Sequence, residues 1–266
     1  MIDDIFNAAH EAFLTYKNLP ANLKADFLDT IAEILEANRA NIVPVAVKES
    51  NLPEGRINGE LGRTTGQIKL FSTMVRDGSW LEATIDPGDR NREPMPKADI
   101  RKMLTPIGPV VVFGASNFPL AFSTAGGDTI SALAAGCPVI YKGHPAHPET
   151  SRLVAECIHK AVISANLPEA VFIHVEGGIE IGQALVKHPL AKAVAFTGSF
   201  NGGKALFDLA SQREEPIPVY AEMGSVNPVF TFPEKLANEL VPLAQSYVSS
   251  LTLGSGQFCT NPGLIF

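Results

Sequence analysis

The sequence predicts an α/β fold in which a parallel sheet is covered by helices on both faces. Three observations support this prediction. From residue 109 onward, short apolar runs typical of buried strands alternate with stretches of helical periodicity about ten residues long. Residues 1–80 carry helical periodicity instead. Finally, 45% of the 266 residues are hydrophobic and 18% are charged, a composition typical of a globular chain that buries a substantial core.

The N-terminal region is predicted to form several helices, because its apolar side chains recur three and four residues apart. Three such sets begin at Ile2, Phe27 and Leu61. Pro20 and the Asn-Leu-Pro step at 51–53 separate them, since proline and asparagine are typical of helix ends and turns. We therefore expect a helical layer ahead of the sheet.

Two further segments flank the predicted sheet in the sequence. Residues 82–99 are polar and proline-rich without an apolar period, which predicts a connecting loop, and residues 99–106 fit a short strand. Near the other end of the chain, a helical stretch follows Pro233. Its apolar stripe predicts burial in the core and consists of Leu236, Leu240 and Leu243.

The sheet itself is predicted from five short runs rich in β-branched and aromatic residues. We expect strands at 110–113, 138–141, 171–173, 193–196 and 217–220. We expect helices between them at 123–135, 148–164, 179–187 and 202–210. Alternation of strand and helix implies parallel pairing, because each helix brings the chain back to the end of the sheet at which the previous strand began.

Composition excludes several classes of function. The net charge is −7, with no long basic run, which argues against binding to a nucleic-acid backbone. The longest apolar stretch, 130–141, is too short to span a bilayer, and the N-terminus lacks a signal peptide, so we expect a cytoplasmic protein that does not enter the membrane. The three cysteines are widely spaced without a Cys-x-x-Cys pair, which argues against disulfides and a zinc site.

Polar residues that follow the predicted strands are the first candidates for a ligand site, because ligands of open parallel sheets bind beyond the carboxyl ends of the strands. The turn at Phe196, Thr197, Gly198 and Ser199 ends a strand and begins a helix, which suits a phosphate group. That signal is weak alone, since many such turns carry glycine and serine for geometry. Lys142 could contact a ribose or phosphate, although this residue taken alone favours a solvated lysine at a strand end.

Three other residues carry groups suited to covalent catalysis. Asn117, in a tight turn, offers an amide that suits an oxyanion, and an ordinary turn asparagine is the alternative. Glu222 should be partly desolvated at a strand end, as a general base requires, and a structural glutamate is the alternative. Cys259 lies in a glycine-rich loop where a thiolate nucleophile or a small buried side chain would fit. His144 and His147 lie among prolines and indicate no metal site.

The order and spacing of these motifs resemble the aldehyde dehydrogenase superfamily. They are Asn-Phe-Pro at 117–119, Lys142, Phe-Thr-Gly-Ser at 196–199, Glu-Met-Gly at 222–224 and Gly-Gln-Phe-Cys at 256–259. The stretch from Gly114 to His144 is similar to the branch of α-ketoglutaric semialdehyde (2,5-dioxovalerate) dehydrogenases and bacterial NADP-dependent fatty aldehyde dehydrogenases. The resemblance implies a Rossmann-like coenzyme-binding domain and oxidation of a small-molecule aldehyde, such as a semialdehyde.

The resemblance also implies a role for each site residue. Cys259 would attack the aldehyde to give a thiohemiacetal, and Asn117 with the Cys259 backbone N–H would hold the oxyanion. Glu222 would activate the water that hydrolyses the thioester. Lys142 would contact the adenosine ribose of the cofactor, and the 196–199 turn would lie beside its pyrophosphate.

The cofactor is expected to be NADP or NAD. Relatives that prefer NAD commonly carry a glutamate three residues after the lysine, where this chain has Pro145. Loss of that carboxylate removes repulsion toward a 2′-phosphate, but no arginine is obvious nearby to bind one. The sequence therefore leaves the choice between NADP and NAD open.

The resemblance predicts an NAD(P)-binding domain at 1–222 and the start of a truncated catalytic domain at 223–266. It implies a homo-oligomer for a full-length form, with 99–106 as an oligomerisation strand. Two other interpretations stay open. The chain could bind cofactor without catalysis, or it could be an acyl-transferring reductase. Glu222 argues against the second, because a hydrolytic base would waste the thioester.

Overall fold

The structure is a computed structural model that describes residues 1–266. Its first part is a layer of four helices, as predicted. They are α1 (Ile2–Tyr16), α2 (Ala21–Ala37), α3 (Arg39–Ser50) and α4 (Glu54–Asp77). Pro20 and Pro53 immediately precede α2 and α4, where the missing N–H of proline costs no helical hydrogen bond. Asn51 and Gly78 end α3 and α4 in the left-handed conformation that these two residue types tolerate best.

The predicted parallel sheet is present and has five strands. They are β3 (Val110–Phe113), β4 (Val139–Lys142), β5 (Phe172–Val175), β6 (Ala193–Thr197) and β7 (Val219–Glu222). Their order across the sheet is β5-β4-β3-β6-β7, and every neighbouring pair is parallel. The chain moves outward from β3 to β5 and then returns to the other side of β3. The switch point, where a ligand is expected, therefore lies between the ends of β3 and β6.

Helices cover both faces of this sheet. They are α5 (Gly127–Ala134), α6 (Pro148–Ser164), α7 (Ile179–Lys187) and α8 (Phe200–Ser211). Val110 and Val112 pack into a core shared with α2–α6, whereas Val111 and Phe113 pack into a second core with α1, α7 and α8. Successive strand residues thus bury opposite faces, which explains why the strands are almost continuously apolar.

Several boundaries of the predicted strands and helices differ from the structure by one to four residues, and two of these differences have a local cause. Helix α5 begins at Gly127 rather than at 123, because the residues before it form turns in which Gly126 N–H donates to the Ser123 carbonyl. Strand β7 begins at Val219 rather than at 217, since Pro218 has no N–H to offer a neighbouring strand.

The structure corrects the prediction of a loop at 82–99. Strand β1 (Thr84–Asp86) lies within it and pairs antiparallel with β2 (Ile100–Lys102), which is shorter than the strand predicted at 99–106. All six residues are exposed, so no alternation of apolar and polar side chains marks the ribbon.

The last part of the chain, residues 223–266, is called here the C-terminal segment. It contains β8 (Pro228–Val229), α9 (Pro233–Leu251) and β9 (Leu264–Ile265), and β8 pairs with β9 in parallel. The predicted burial of the leucine stripe is wrong, because α9 buries no residue and Leu240 is 58% exposed. None of the helices is both long enough and apolar enough to cross a membrane.

Candidate functional site

Two adjacent cavities lie at the carboxyl ends of the parallel strands. The larger cavity, of about 840 Å³, is lined by residues from the ends of β3–β6, including Lys142 and Phe196. The smaller cavity, of about 510 Å³, lies among the turn after β3, the ends of β6 and β7, and the loop at 256–263. Phe196 lines one cavity and the next residue, Thr197, lines the other, so β6 separates them.

The smaller cavity brings together six of the eight site residues predicted from sequence. They are Asn117, Thr197, Gly198, Ser199, Glu222 and Cys259. The other two, Lys142 and Phe196, line the larger cavity. An amide, a carboxylate and a thiol therefore line one cavity, although the amide of Asn117 lies more than a hundred residues before the other two in sequence. No three His, Cys, Asp or Glu side chains lie close enough together to hold a metal ion.

The loop that carries Cys259 is held by hydrogen bonds to its backbone carbonyls, so the Cys259 thiol makes none of the contacts that fix the loop. The Cys259 carbonyl accepts a hydrogen bond from Asn227 Nδ2 at 2.6 Å and another from the Ser225 hydroxyl. Asn261 Nδ2 donates to three carbonyls at the end of α9. Gly254 is left-handed, with φ of 58°, and a Cβ there would meet the Phe258 ring at 2.3 Å. The Cys259 side chain remains partly exposed to the cavity.

Asn117 connects the turn after β3 to this loop. Its Nδ2 donates to the Gln257 carbonyl at 2.7 Å, two residues before Cys259. An amide nitrogen carries two hydrogens, so the second one is available to an oxygen atom in the cavity. The backbone N–H of Cys259 makes no backbone hydrogen bond and is a second free donor. Together the two donors are suited to a developing negative charge.

Glu222 departs from its prediction. We expected a partly desolvated carboxylate, but the side chain is exposed, because β7 is an edge strand with a neighbour on one side only. Asp128, on the first turn of α5, was not among the site residues predicted from sequence. Burial raises the pKa of Asp128, the charge of Glu222 raises it further, and a hydrogen bond from Thr197 Oγ1 at 3.4 Å opposes both. The sequence feature that could have indicated Asp128 is its position directly after Gly126 and Gly127.

Helix α4 contributes a buried carboxylate that the sequence analysis also missed. The Glu60 side chain is fully buried and accepts hydrogen bonds from the backbone N–H groups of Leu120 and Ala121, both at 2.9 Å. Its other oxygen lies 2.9 Å from Arg56 Nη1. These contacts fix the turn that begins at Asn117. The i, i+4 spacing of an arginine and a glutamate indicates only a helical ion pair.

Arg56 also touches the side chains beside both reactive groups. Its guanidinium lies 4.9 Å from the ring centre of Phe118 and 5.0 Å from that of Phe258. The two rings are themselves 4.6 Å apart, and both side chains are buried. Phe118 follows Asn117 and Phe258 precedes Cys259, so one cation–π cluster fixes the spacing between amide and thiol.

The larger cavity is lined by polar and charged groups that could bind a nucleoside. Lys142 is half-buried, and burial lowers the pKa of its ammonium. Burial, with the charges of His147 and Lys142, lowers the pKa of His144 to about 4, so this ring is neutral at pH 7. Glu176, at the end of β5, forms a bidentate pair with Arg152, with Nη2 and Oε2 2.9 Å apart.

The turn between the cavities fits a pyrophosphate. Ser199 caps α8, and its Oγ accepts from Gly202 N–H at 3.2 Å. The first N–H groups of a helix have no acceptor within it and attract anions. A Cβ at Gly198 would meet the Phe196 ring at 2.7 Å, so only glycine leaves this approach open. A dinucleotide could therefore occupy the larger cavity, pass the α8 N-terminus and extend into the smaller one.

Comparison with known proteins agrees with this geometry. The model of the aldehyde dehydrogenase family matches residues 1–266. The chain is 53% identical over 258 residues to alpha-ketoglutaric semialdehyde dehydrogenase 2 of Azospirillum brasilense, covering 97% of this chain and 49% of that protein. It is 48% identical over 264 residues to alpha-ketoglutaric semialdehyde dehydrogenase of Acinetobacter baylyi, covering 99% and 50%. The chain thus spans about half the length of the curated relatives it matches.

Solved structures share the fold. An NAD-dependent benzaldehyde dehydrogenase from Corynebacterium glutamicum superimposes with a TM-score of 0.82 at 25% identity, covering 99% of this chain and 54% of that one. Methylmalonate-semialdehyde dehydrogenase from Oceanimonas doudoroffii gives 0.83 at 21% identity, covering 99% and 50%. At these identities the structures support the α/β architecture.

Proposed function

Because the chain belongs to the aldehyde dehydrogenase family, we propose that it provides the thiol and the dinucleotide site for NAD(P)-dependent oxidation of an aldehyde to a carboxylate. The observation that carries the proposal is the meeting of Asn117, Glu222 and Cys259 in one cavity beside the N-terminus of α8. The relatives that are 53% and 48% identical to this chain over the matched residues point to a semialdehyde, such as 2,5-dioxovalerate, as substrate.

The reaction begins at the thiol. The Cys259 thiol loses its proton to water, and its sulfur attacks the aldehyde carbon. A C–S bond forms, the carbonyl π bond breaks, and the carbonyl oxygen becomes an alkoxide. Asn117 Nδ2 and the Cys259 backbone N–H donate hydrogen bonds to that oxygen, since both have a hydrogen to spare. A bound NAD(P) would accept the hydride that leaves the same carbon. A thioester on Cys259 then remains.

Hydrolysis of the thioester needs a base. Glu222 lines the same cavity, and its carboxylate accepts a proton from water as the water attacks the thioester carbon. The C–S bond breaks, and the proton held by Glu222 passes to the Cys259 sulfur, which restores the thiol. The product acid loses its proton to water and leaves as a carboxylate. Lys142 would bind a ribose in the larger cavity, and Phe196, Thr197, Gly198 and Ser199 would form the phosphate turn. The donor set suits NADP as well as NAD.

We propose that residues 1–222 form the dinucleotide-binding part and that 223–266 begin the catalytic part, with a homo-oligomer as the working assembly. A second candidate function is dinucleotide binding without turnover. The exposure of Glu222 favours it, because a solvated carboxylate is a weaker base than a desolvated one.

One experiment separates the two candidates. The chain is mixed with NADP and 2,5-dioxovalerate, NADPH absorbance is followed from the first turnover, and dinucleotide binding is titrated in parallel. We expect turnover in the unmodified chain. In Cys259→Ala it should fall by more than about 10⁴-fold, while dinucleotide affinity is unchanged. Cys157→Ala, at a buried helical cysteine away from the cavity, is the control.

Glu222→Gln tests the hydrolytic step. It should keep the first, stoichiometric formation of NADPH and lose later turnovers, because the thioester forms but is not hydrolysed. NADPH formation by Cys259→Ala at the normal rate would refute the proposed mechanism. Binding of NADP by the unmodified chain without any NADPH formation would instead establish the second candidate.

A further inference from the structure

A third cavity lies away from the strand ends. It has a volume of about 590 Å³ and shares no lining residue with the two cavities described above. Its walls come from α1, the start of α2, the end of α4 with Trp80, and the segment at 103–107 that leads into β3. We call it the N-terminal cavity. Its volume is within the range of small-molecule sites in proteins.

The N-terminal cavity contains a buried cation without an anion. Lys24 lines it and is only 6% exposed. Its ammonium makes no ion pair and no hydrogen bond, and the contact it does make is with the face of Tyr16, 5.9 Å from the ring centre. Burial lowers the pKa of Lys24, and the neighbouring Cys137 opposes that shift. Because Lys24 lines the cavity and its ammonium has no acidic partner, that ammonium is available to an anionic ligand.

The rest of the lining defines what that ligand must be. Ten of the fifteen lining residues are hydrophobic, and none is acidic. Three of the hydrophobic ones, Met103, Leu104 and Ile107, are at least half exposed although they line a cavity. An apolar chain lying along them would remove that surface from water. Two lysines line the cavity, but Lys17 is exposed and only Lys24 is enclosed by apolar side chains. One enclosed ammonium suits a single negative charge at the end of such a chain.

We propose that the N-terminal cavity binds an aliphatic carboxylate, whose head group pairs with the Lys24 ammonium and whose chain packs against Leu104 and Ile107. The site is separate from the strand-end cavities, so it would act as a second binding site. Its existence does not depend on the proposed dehydrogenase reaction.

The chain itself supplies a probe. Trp80 is its single tryptophan and lines the N-terminal cavity, so intrinsic tryptophan fluorescence reports on this cavity alone. The full chain is titrated with decanoate below the micellar concentration, and with decanol as an uncharged ligand of equal chain length. We expect a saturable change of Trp80 emission with decanoate, and about tenfold or greater weakening with decanol, since an ion pair is lost.

Variants test the role of the cation. Lys24→Met should weaken decanoate binding by about tenfold or more, whereas Lys24→Arg should keep it within a few-fold. Lys17→Met is the matched control, because Lys17 also lines the cavity but is exposed. It should leave the affinity unchanged within about twofold. Circular dichroism melting shows that each variant is folded, and decanoate should raise the melting temperature of the unmodified chain but not that of Lys24→Met.

Three results would each overturn the proposal. They are equal affinity for decanoate and decanol, unchanged decanoate affinity in Lys24→Met, and the absence of any saturable fluorescence change or melting shift in the unmodified chain. The first would mean that the cavity takes up apolar chains without regard to charge. The second would mean that decanoate binds elsewhere than at Lys24.

Discussion

Helices α2 and α9 are both amphipathic, yet they are held in opposite ways. In α2, Phe27, Leu28 and Ile31 are almost completely buried against the other helices and the sheet. In α9, which is two residues longer, no residue is buried, and the side chains of Leu240 and Val241 are more than half exposed. The same amphipathic pattern therefore corresponds to an apolar face packed in the core in α2 and to an apolar face exposed to solvent in α9.

The two regions are also fixed by different forces. The helical layer and sheet are held by apolar burial on both faces of the sheet. The C-terminal segment is held by the side-chain amides of Asn227 and Asn261 and by one buried ring, Phe258. An amphipathic pattern shows that a helix has an apolar face, but it does not identify the surface that covers it. Three pairs of matched substitutions compare a buried or hydrogen-bonded side chain with a more exposed counterpart.

The largest effect is expected at the buried ion pair of α4. Glu60→Ala should lower the free energy of unfolding by about 4 kcal/mol, because two backbone N–H groups lose their acceptor and the Arg56 guanidinium loses its counter-ion. Urea unfolding followed by circular dichroism measures it. The same variant should slow alkylation of Cys259 by iodoacetamide, since the cluster beside the thiol loses its anchor.

The control for Glu60 is Asp208, which also forms an i, i+4 pair, with Lys204 on α8, but is exposed. Asp208→Ala should cost about 0.5 kcal/mol or less, because water screens and replaces a surface ion pair. Equal losses in the two variants would mean that burial of Glu60 adds nothing to its contribution to stability.

A smaller effect is expected from one substitution made in each of the two helices. Leu28→Ala in α2 should cost about 3 kcal/mol, because it leaves a void in a packed core. Leu240→Ala in α9 should change the unfolding free energy by less than about 0.5 kcal/mol, since its side chain already contacts water. Urea unfolding of both variants decides the point. A loss above about 2 kcal/mol in Leu240→Ala would show that α9 is covered in solution, for example by a second copy of the chain.

The fold could be predicted from sequence wherever one residue pattern has one structural meaning. The strand runs at 110–113 and 193–196 are apolar on both faces, which in an α/β chain occurs only in a buried parallel sheet, and both strands form as predicted. The ribbon of β1 and β2 could not be predicted, because its residues are all exposed and its paired residues lie fourteen to eighteen positions apart in sequence. Its pairing depends on backbone hydrogen bonds that any sequence can make.

The candidate groups that line one cavity could be predicted from sequence, but the contacts that hold them in place could not. The spacing of the motifs indicated Asn117, Glu222 and Cys259, which line one cavity. The roles of Arg56 and Glu60 depend on contacts between α4 and turns that lie far away in sequence. The exposure of Glu222 likewise follows from the place of β7 at the edge of the sheet, which strand order alone determines.

The smallest effect is expected at a helix cap and depends on pH. Glu49, at the end of α3, accepts hydrogen bonds from the backbone N–H groups of Glu149 and Thr150, at 2.9 and 2.8 Å, and thereby caps α6. Partial burial acts to raise the pKa of Glu49, but the hydrogen bonds from Thr150 and Glu149 outweigh it, so the pKa lies below its usual range. Its carboxylate therefore stabilises the fold above the ordinary pKa, and this stabilisation is lost as pH falls through the lowered value.

Glu49→Gln should thus cost about 1 kcal/mol at pH 7, and the difference from the unmodified chain should vanish in strong acid, where both side chains are neutral. Urea unfolding at a series of pH values measures it. The control is Glu234→Gln in the first turn of α9, where no side chain caps the helix and the carboxylate is exposed. It should change stability by no more than a few tenths of a kcal/mol at any pH. A difference for Glu49→Gln that persists unchanged into strong acid would show that the cap acts through shape and not through charge, and the contrast between the two helix N-termini would then need another cause.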